Sequence, residues 1–217
     1  MHLSLGMKSD PVEYRYSYEW LFDLLGRCQI PYLQLGSSFE FYTVDDAYFL
    51  ELRELAERKG IRIKSCFTSH RELGGFLTNN PHLEKVARQN YERYIHVASL
   101  LGADYVGSNP GAVYRDQMAY KPHGIECYLA HMKEVMHYAK DRGLKGLTLE
   151  PMSCLAEPPT LPEELQYILN TLNDYHRQQP SSTTPMYICG DISHGYADQH
   201  EHVHHDNYTL FCLHIPH

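Results

Sequence analysis

Short apolar stretches that read as strands alternate along this chain with longer segments whose apolar residues fall at helical spacing. The first strand is Leu3-Ser4-Leu5-Gly6, and a helix follows over Ser17 to Arg27, where Trp20, Leu21, Leu24 and Leu25 make one apolar stripe. Tyr32-Leu33-Gln34-Leu35-Gly36 is the second strand. Asp45 to Lys59 is a helix that Asp45 caps and Gly60 ends, and Ile61 to Phe67 is the third strand. Asn80 caps a long helix with Pro81 at its first position, which runs to Leu101 and stops at Gly102. Tyr105-Val106-Gly107, Leu147-Thr148-Leu149-Glu150 and Met186 to Asp191 are the fourth, fifth and sixth strands. Helices within Gly124 to Arg142 and over Leu161 to His176 lie between them, and a last segment, Asn207 to Ile215, reads as a further short helix.

Strict alternation of strand and helix implies a parallel sheet with helical crossovers, in either an open doubly wound sheet or a closed barrel. No Gly-x-Gly-x-x-Gly follows the first strand and no Gly-x-x-x-x-Gly-Lys-Ser/Thr occurs anywhere, so the nucleotide-binding open sheets lose their main support. A barrel gathers its functional residues at the C-terminal ends of several strands, around one pocket, and the polar residues of this chain are distributed that way. The third strand runs into Thr68-Ser69-His70-Arg71-Glu72, the fourth into Ser108-Asn109-Pro110-Gly111, the fifth ends in Glu150-Pro151-Met152 and the sixth in Asp191-Ile192-Ser193-His194.

Glu150 closes a strand apolar enough to be buried on both faces, so its carboxylate needs a partner or a metal. Asp191 repeats the arrangement one strand later. Two carboxylates at neighbouring strand ends repel each other unless a cation lies between them. His194, three residues beyond Asp191, reaches back over the same pocket as a ligand or a substrate hydrogen-bond donor. His70 and Asn109 are weaker candidates for substrate contact. Each of these residues also has a bland reading, as a buried carboxylate paired with a cation or a solvated loop histidine.

The 217 residues suffice for one good-sized core, so residues 1–217 are expected to form a single domain. A formal charge of −8 without a Lys/Arg cluster argues against a nucleic-acid partner. No apolar run approaches the length of a spanning helix and no secretory signal is visible, so a cytoplasmic protein with no membrane partner is expected. The six cysteines are widely spaced without a Cys-x-x-Cys pair and read as reduced residues. The run His194, His200, His202, His204 and His205 lies in a polar stretch whose spacing fits no tetrahedral site well. It is expected to be a solvated loop that binds nickel or zinc weakly.

Leu-Thr-Leu-Glu150-Pro and Cys-Gly-Asp191-Ile-Ser-His194, about one strand–helix unit apart, resemble the sugar isomerase/epimerase branch of the xylose-isomerase-like TIM barrels. That resemblance implies an α/β barrel and a divalent metal (Mn, Co, Mg or Zn). It also implies proton transfer on a small sugar or sugar derivative through an enediolate. In the family one ion is held by Glu, Asp, His and Glu from strands five to eight. By resemblance Glu150 and Asp191 are the first two ligands and His194 contacts the substrate or the metal; Glu150 is in addition the candidate catalytic base, and His70 and Asn109 stay candidate substrate contacts from their places at strand ends. The family's ketose epimerases often carry a second glutamate six residues past the first, where this chain has Ala156, with Glu157 one further on. The sequence reads as about six of eight strand–helix units, a barrel incomplete at the C-terminus, with His214 and His217 candidates to replace the later ligands if Leu210 to Ile215 forms a strand. Arg71 and Arg115, in the loops after the third and fourth strands, are candidates to shape the pocket.

Two other readings stand beside this one. A zinc-dependent apurinic-site endonuclease would use His70 with Asp191 and His194, although Asn109 stands where such enzymes place a zinc-binding histidine. A non-catalytic, incomplete barrel serving as a binding module would expose strand edges and is expected to self-associate. Homo-oligomerisation is therefore a possible partner interaction beside the sugar substrate.

Overall fold

The structure, a computed structural model, describes residues 4–36, 39–69 and 75–206. The elements run in the order β1 (Gly6–Lys8), α1 (Tyr18–Arg27), β2 (Tyr32–Gly36), α2 (Phe39–Thr43), α3 (Asp46–Arg58), β3 (Arg62–Ser69) and α4 (Pro81–Leu100). They continue with β4 (Tyr105–Asn109), α5 (Lys121–Asp141), β5 (Gly146–Leu149), α6 (Pro162–Gln178), β6 (Met186–Ile188), β7 (Tyr196–Ala197) and β8 (Val203–His205).

The helix boundaries follow from capping chemistry. Ser17 Oγ accepts from the Trp20 amide at 3.2 Å, and Asp45 Oδ1 from the Tyr48 amide at 3.1 Å. Asn80 Oδ1 accepts from His82 and Leu83 at 3.0 and 3.4 Å, ahead of Pro81. Gly60 and Gly102 end α3 and α4 at φ 71° and 70°, a conformation that a side chain disfavours. The α1 stripe is built from Leu21, Phe22 and Leu25. Trp20, expected in that stripe, is 38% exposed and stacks on Tyr16 at the surface.

The first six strands form one parallel sheet in the order β1-β2-β3-β4-β5-β6. Because strand–helix–strand crossovers are right-handed, a strand order that never reverses puts every crossover helix on the same face. That is the wall of a barrel. A doubly wound sheet reverses its order at a switch point, and this one does not.

The two faces differ in chemistry. Leu33, Leu35, Ile63, Cys66, Val106, Leu147, Leu149 and Met186 face the helices, each at 2% exposure or less. At roughly 1.5–3 kcal/mol per fully buried side chain, this layer is a major source of stability. The register places Tyr32, Gln34, Ser65, Phe67, Tyr105, Gly107, Thr148 and Tyr187 on the opposite, concave face. A Cβ at Gly107 would lie 1.8 Å from Thr148 Oγ1, so the neighbouring strands pack there only with glycine. Thr148 is half-buried, and so β5 is fully buried on its helix face only, not on both faces as its composition implies.

Several expectations shift. β1 begins three residues and ends two residues later than Leu3–Gly6, and Leu5 is 67% exposed. The short helix α2 carries no clear sequence signal. The histidine-rich stretch is not a plain loop: β7 and β8 pair antiparallel as a hairpin, with His205 buried and His200, His202 and His204 exposed. The helix expected over Asn207 to Ile215 lies outside the described residues. The five cysteines among the described residues are free. None of the described helices is long and apolar enough to cross a membrane.

Candidate metal centre at the sheet's C-terminal edge

The concave face turns polar at the C-terminal ends of the strands. Continuing the alternation of β5 and β6 brings Glu150 and Cys189 side by side, with the Cys189 amide donating to the Leu149 carbonyl at 2.8 Å. Two residues on, the backbone turns, and Asp191 and His194 come back over Glu150. One ligand atom from each of Glu150, Asp191 and His194 lies within 4.8 Å of the other two. His194 Nδ1 is 3.9 Å from Glu150 Oε1, and His194 Nε2 is 3.9 Å from Asp191 Oδ2.

Each of the three side chains is oriented by a second contact. The Ser193 amide and hydroxyl both donate to Asp191 Oδ1, at 2.8 and 2.7 Å, which leaves Oδ2 turned toward His194. His194 Nδ1 sits 3.1 Å from the Pro151 carbonyl oxygen. A carbonyl can only accept, so Nδ1 donates to it, and Nε2 faces Asp191. An imidazole held through its other nitrogen in this way has the arrangement of a metal-ligating histidine.

Electrostatics separate the two acids. Burial pushes the Glu150 carboxyl above its ordinary range, and Asp191 adds to the rise; His194 and Lys8 oppose it without cancelling it. The two hydrogen bonds from Ser193 hold Asp191 below its ordinary range. Glu150 is 6% exposed, and among the described residues no hydrogen bond to its side chain is found, so it is a buried carboxylate lacking a full complement of donors. A divalent cation would supply the missing charge. Two carboxylates and an imidazole nitrogen are a donor set suited to Mn, Co, Zn or Mg.

The sequence reading missed several neighbours. Lys8 ends β1 and contacts Asp10 at 3.1 Å; burial opposes its charge, but Asp10 and the Glu150 carboxylate outweigh it and raise its pKa. The Cys189 thiol is pushed up to about 11 by burial and then by Glu150. Glu13, beyond β1, is pushed up to about 7 by burial, against a hydrogen bond from Ser9 Oγ at 2.8 Å. Lys8 was missed because the sequence pattern ends the first strand at Gly6, before it; the other two carried no signal. Asn109 ends β4 on the concave face, 3% exposed. His70 and Arg71 lie outside the described residues, and Arg115 is exposed at the start of a short 3-10 segment.

A parallel barrel wall with carboxylates and a histidine at its C-terminal edge defines the class of TIM-barrel proteins that build their site at that rim. The family model described as xylose isomerase-like TIM barrel matches residues 30–214, and the chain belongs to that family. No curated protein sequence matches it. Among solved structures it is similar to a candidate xylose isomerase from Rhodospirillum rubrum, with 18% identity and a TM-score of 0.76 over 86% of this chain and 65% of that one. It is also similar to D-psicose 3-epimerase from Clostridium cellulolyticum H10, with 14% identity and a TM-score of 0.68 over 86% and 63% of the two chains. The IolI protein, solved with a bound zinc atom, matches with 15% identity and a TM-score of 0.61 over 79% and 59%. The chain thus spans less than two thirds of the length of each of these structures.

Proposed function

We propose that the chain carries the metal-holding part of a sugar isomerase or epimerase site, and that residues 1–217 act as one domain. The observation that carries this reading is the convergence of Glu150, Asp191 and His194 at the C-terminal edge, with Glu150 buried. Family membership and the fold shared with D-psicose 3-epimerase support it.

In this reading Glu150 and Asp191 hold a divalent ion, with His194 beside them as a ligand or a substrate contact. Such an ion, when bound, polarises a carbonyl and stabilises negative charge on the oxygen beside it. Glu150 removes the proton from the carbon next to the carbonyl. Its place at the end of β5, beside the point where the ion would sit, suits a general base acting on the carbon next to the bound carbonyl. Asp191 stays ionised through Ser193 and serves as the permanent anion of the site. His194, fixed by Pro151, donates to or accepts from a substrate hydroxyl, and Asn109 lines the same face. The substrate class is a small open-chain sugar or sugar derivative, since the chemistry needs a carbonyl and a neighbouring hydroxyl.

The test is turnover of a panel of ketoses and aldoses followed by exchange of the carbon-bound hydrogen with deuterated solvent. Exchange that requires added Mn²⁺ or Co²⁺ and disappears in Glu150→Gln supports the proposal. Exchange unchanged in Glu150→Gln contradicts it.

A further inference from the structure

On the outer wall, where α4 packs against α5, three side chains of different chemistry meet. Cys127 and His131 stand four residues apart in α5 and so lie on one face of that helix. Glu84 comes from the first turn of α4. His131 Nε2 is 2.7 Å from Glu84 Oε1, and the Cys127 thiol hydrogen-bonds to the same side chain. One ligand atom from each of the three lies within 4.8 Å of the other two. All three residues are half-buried, close enough to the surface for an ion to reach them.

The histidine is held in place. Its ring stacks on Phe76 at 4.7 Å between centroids and 22° between planes, and Phe76 is itself 2% exposed. A bridge between Glu84 and His131 would by itself account for two of the residues. It would not account for a thiol placed on the same carboxylate from the next turn of the helix. Thiolate, imidazole and carboxylate together are the ligand types of a zinc site, whereas Mg²⁺ and Ca²⁺ favour oxygen ligands throughout.

We propose that Glu84, Cys127 and His131 form a second cation site, separate from the one at the sheet's C-terminal edge, which takes Zn²⁺ or another thiophilic divalent ion and fastens α4 to α5. Three protein ligands leave a fourth position for water. On binding, the thiol proton passes to solvent, the neutral His131 ring carries its proton on Nδ1 and offers the Nε2 lone pair, and the metal–ligand bonds form without any change of oxidation state. The inference does not depend on the sugar-directed reading.

The test uses the full chain and Co²⁺ as a spectroscopic stand-in for zinc. A bound thiolate gives cobalt an intense charge-transfer absorption that oxygen and nitrogen ligands do not give. Titration with Co²⁺ to saturation is expected to produce this band, with one thiolate-bound cobalt per chain, and added Zn²⁺ to bleach it. The band should be absent in Cys127→Ser and His131→Ala but intact in Glu150→Gln/Asp191→Asn. The third cluster that brings ligand atoms together, Asp198, His202 and His204 of the hairpin, holds no thiol and cannot imitate the signal. A second readout needs no variant: Zn²⁺ should slow alkylation of Cys127 at least about tenfold, measured by peptide mapping. No band, a band that survives Cys127→Ser, or a band lost only in Cys189→Ser would each overturn the proposal, as would alkylation of Cys127 that Zn²⁺ leaves unchanged.

Discussion

Two carboxylates at opposite ends of the same sheet show how differently one chemical group can be used. Asp104 lies just ahead of β4, at the N-terminal end of the strands, and is 4% exposed; Glu150 lies just past β5, at the other end, and is 6% exposed. Their burial is nearly equal and their surroundings are opposite. Arg62 and Lys145 reach Asp104 at 2.6 and 3.0 Å, and Lys64 makes a third ion pair with it. Burial alone would raise the Asp104 pKa, but the bonds from Lys64 and Lys145 and the charge of Arg62 carry it below its ordinary range. Glu150 faces another acid, and its pKa is raised. The first carboxylate is paired and ties β3, β4 and β5 together. The second is left short of positive charge, which stabilises nothing unless a cation arrives. In a barrel the N-terminal end serves stability and the C-terminal end serves chemistry, and this pair of acids follows that division.

The largest effect that would break the comparison concerns activity. Glu150→Gln should lower hydrogen exchange on substrate by about 10³-fold, because it removes both a ligand and the base, whereas Asp104→Asn should leave exchange per folded molecule unchanged. Isotope-exchange rates at matched folded fractions check both. Next in size, Asp104→Ala removes the anion among three cations that are 35% to 61% exposed. After discounting for solvent screening, a loss of about 2 kcal/mol is expected, or roughly 4–8 °C in Tm by thermal unfolding.

A smaller effect concerns orientation. Ser193→Ala deletes the hydroxyl that holds Asp191 Oδ1 but keeps the backbone donor, so Mn²⁺ affinity should fall by about tenfold in a calorimetric titration. The smallest effect sharpens the comparison through pH. The raised pKa of Glu150 means the metal-free fold prefers the protonated form, so its contribution is present below the unfolded-state pKa and lost as pH rises through the folded value. Asp104 is depressed, so its contribution is present above its unfolded-state pKa and lost as pH falls through the folded value. Metal-free Glu150→Gln should therefore melt slightly higher than the parent protein at neutral pH, with the gap closing in acid. Asp104→Asn should melt lower at neutral pH, and its gap should also narrow in acid.

Much of the fold was legible because it rests on local signals. Ser17, Asp45, Asn80-Pro81, Gly60 and Gly102 mark helix ends with side-chain and backbone chemistry that needs no tertiary context. That Glu150, Asp191 and His194 come together was legible because a carboxylate directly after an apolar strand has few ways to be satisfied. The rest depends on contacts, near and far along the chain, that the hydrophobic pattern does not specify. Nothing local announces that Trp20 stacks on Tyr16 at the surface, or that β7 and β8 fold the histidine-rich stretch into a hairpin. Asp104 is an unremarkable residue between Ala103 and Tyr105 in sequence, and its three cations are Arg62 and Lys64 of β3 and Lys145 just ahead of β5. Cys127 and His131 have helical spacing, but their partner Glu84 is more than 40 residues away in sequence, so only the packing of α4 on α5 reveals the cluster.

The central claim is that Glu150 and Asp191 form a cation site, and Mn²⁺ binding tests it most directly, in Cys127→Ser protein so that the thiol cluster is silent. Calorimetry or electron paramagnetic resonance would follow the titration, with and without Glu150→Gln/Asp191→Asn. The account predicts about one Mn²⁺ per chain, lost in the double variant while the fold, followed by circular dichroism, is retained. Mn²⁺ binding that is absent from the parent, or equally tight in the double variant, would contradict it.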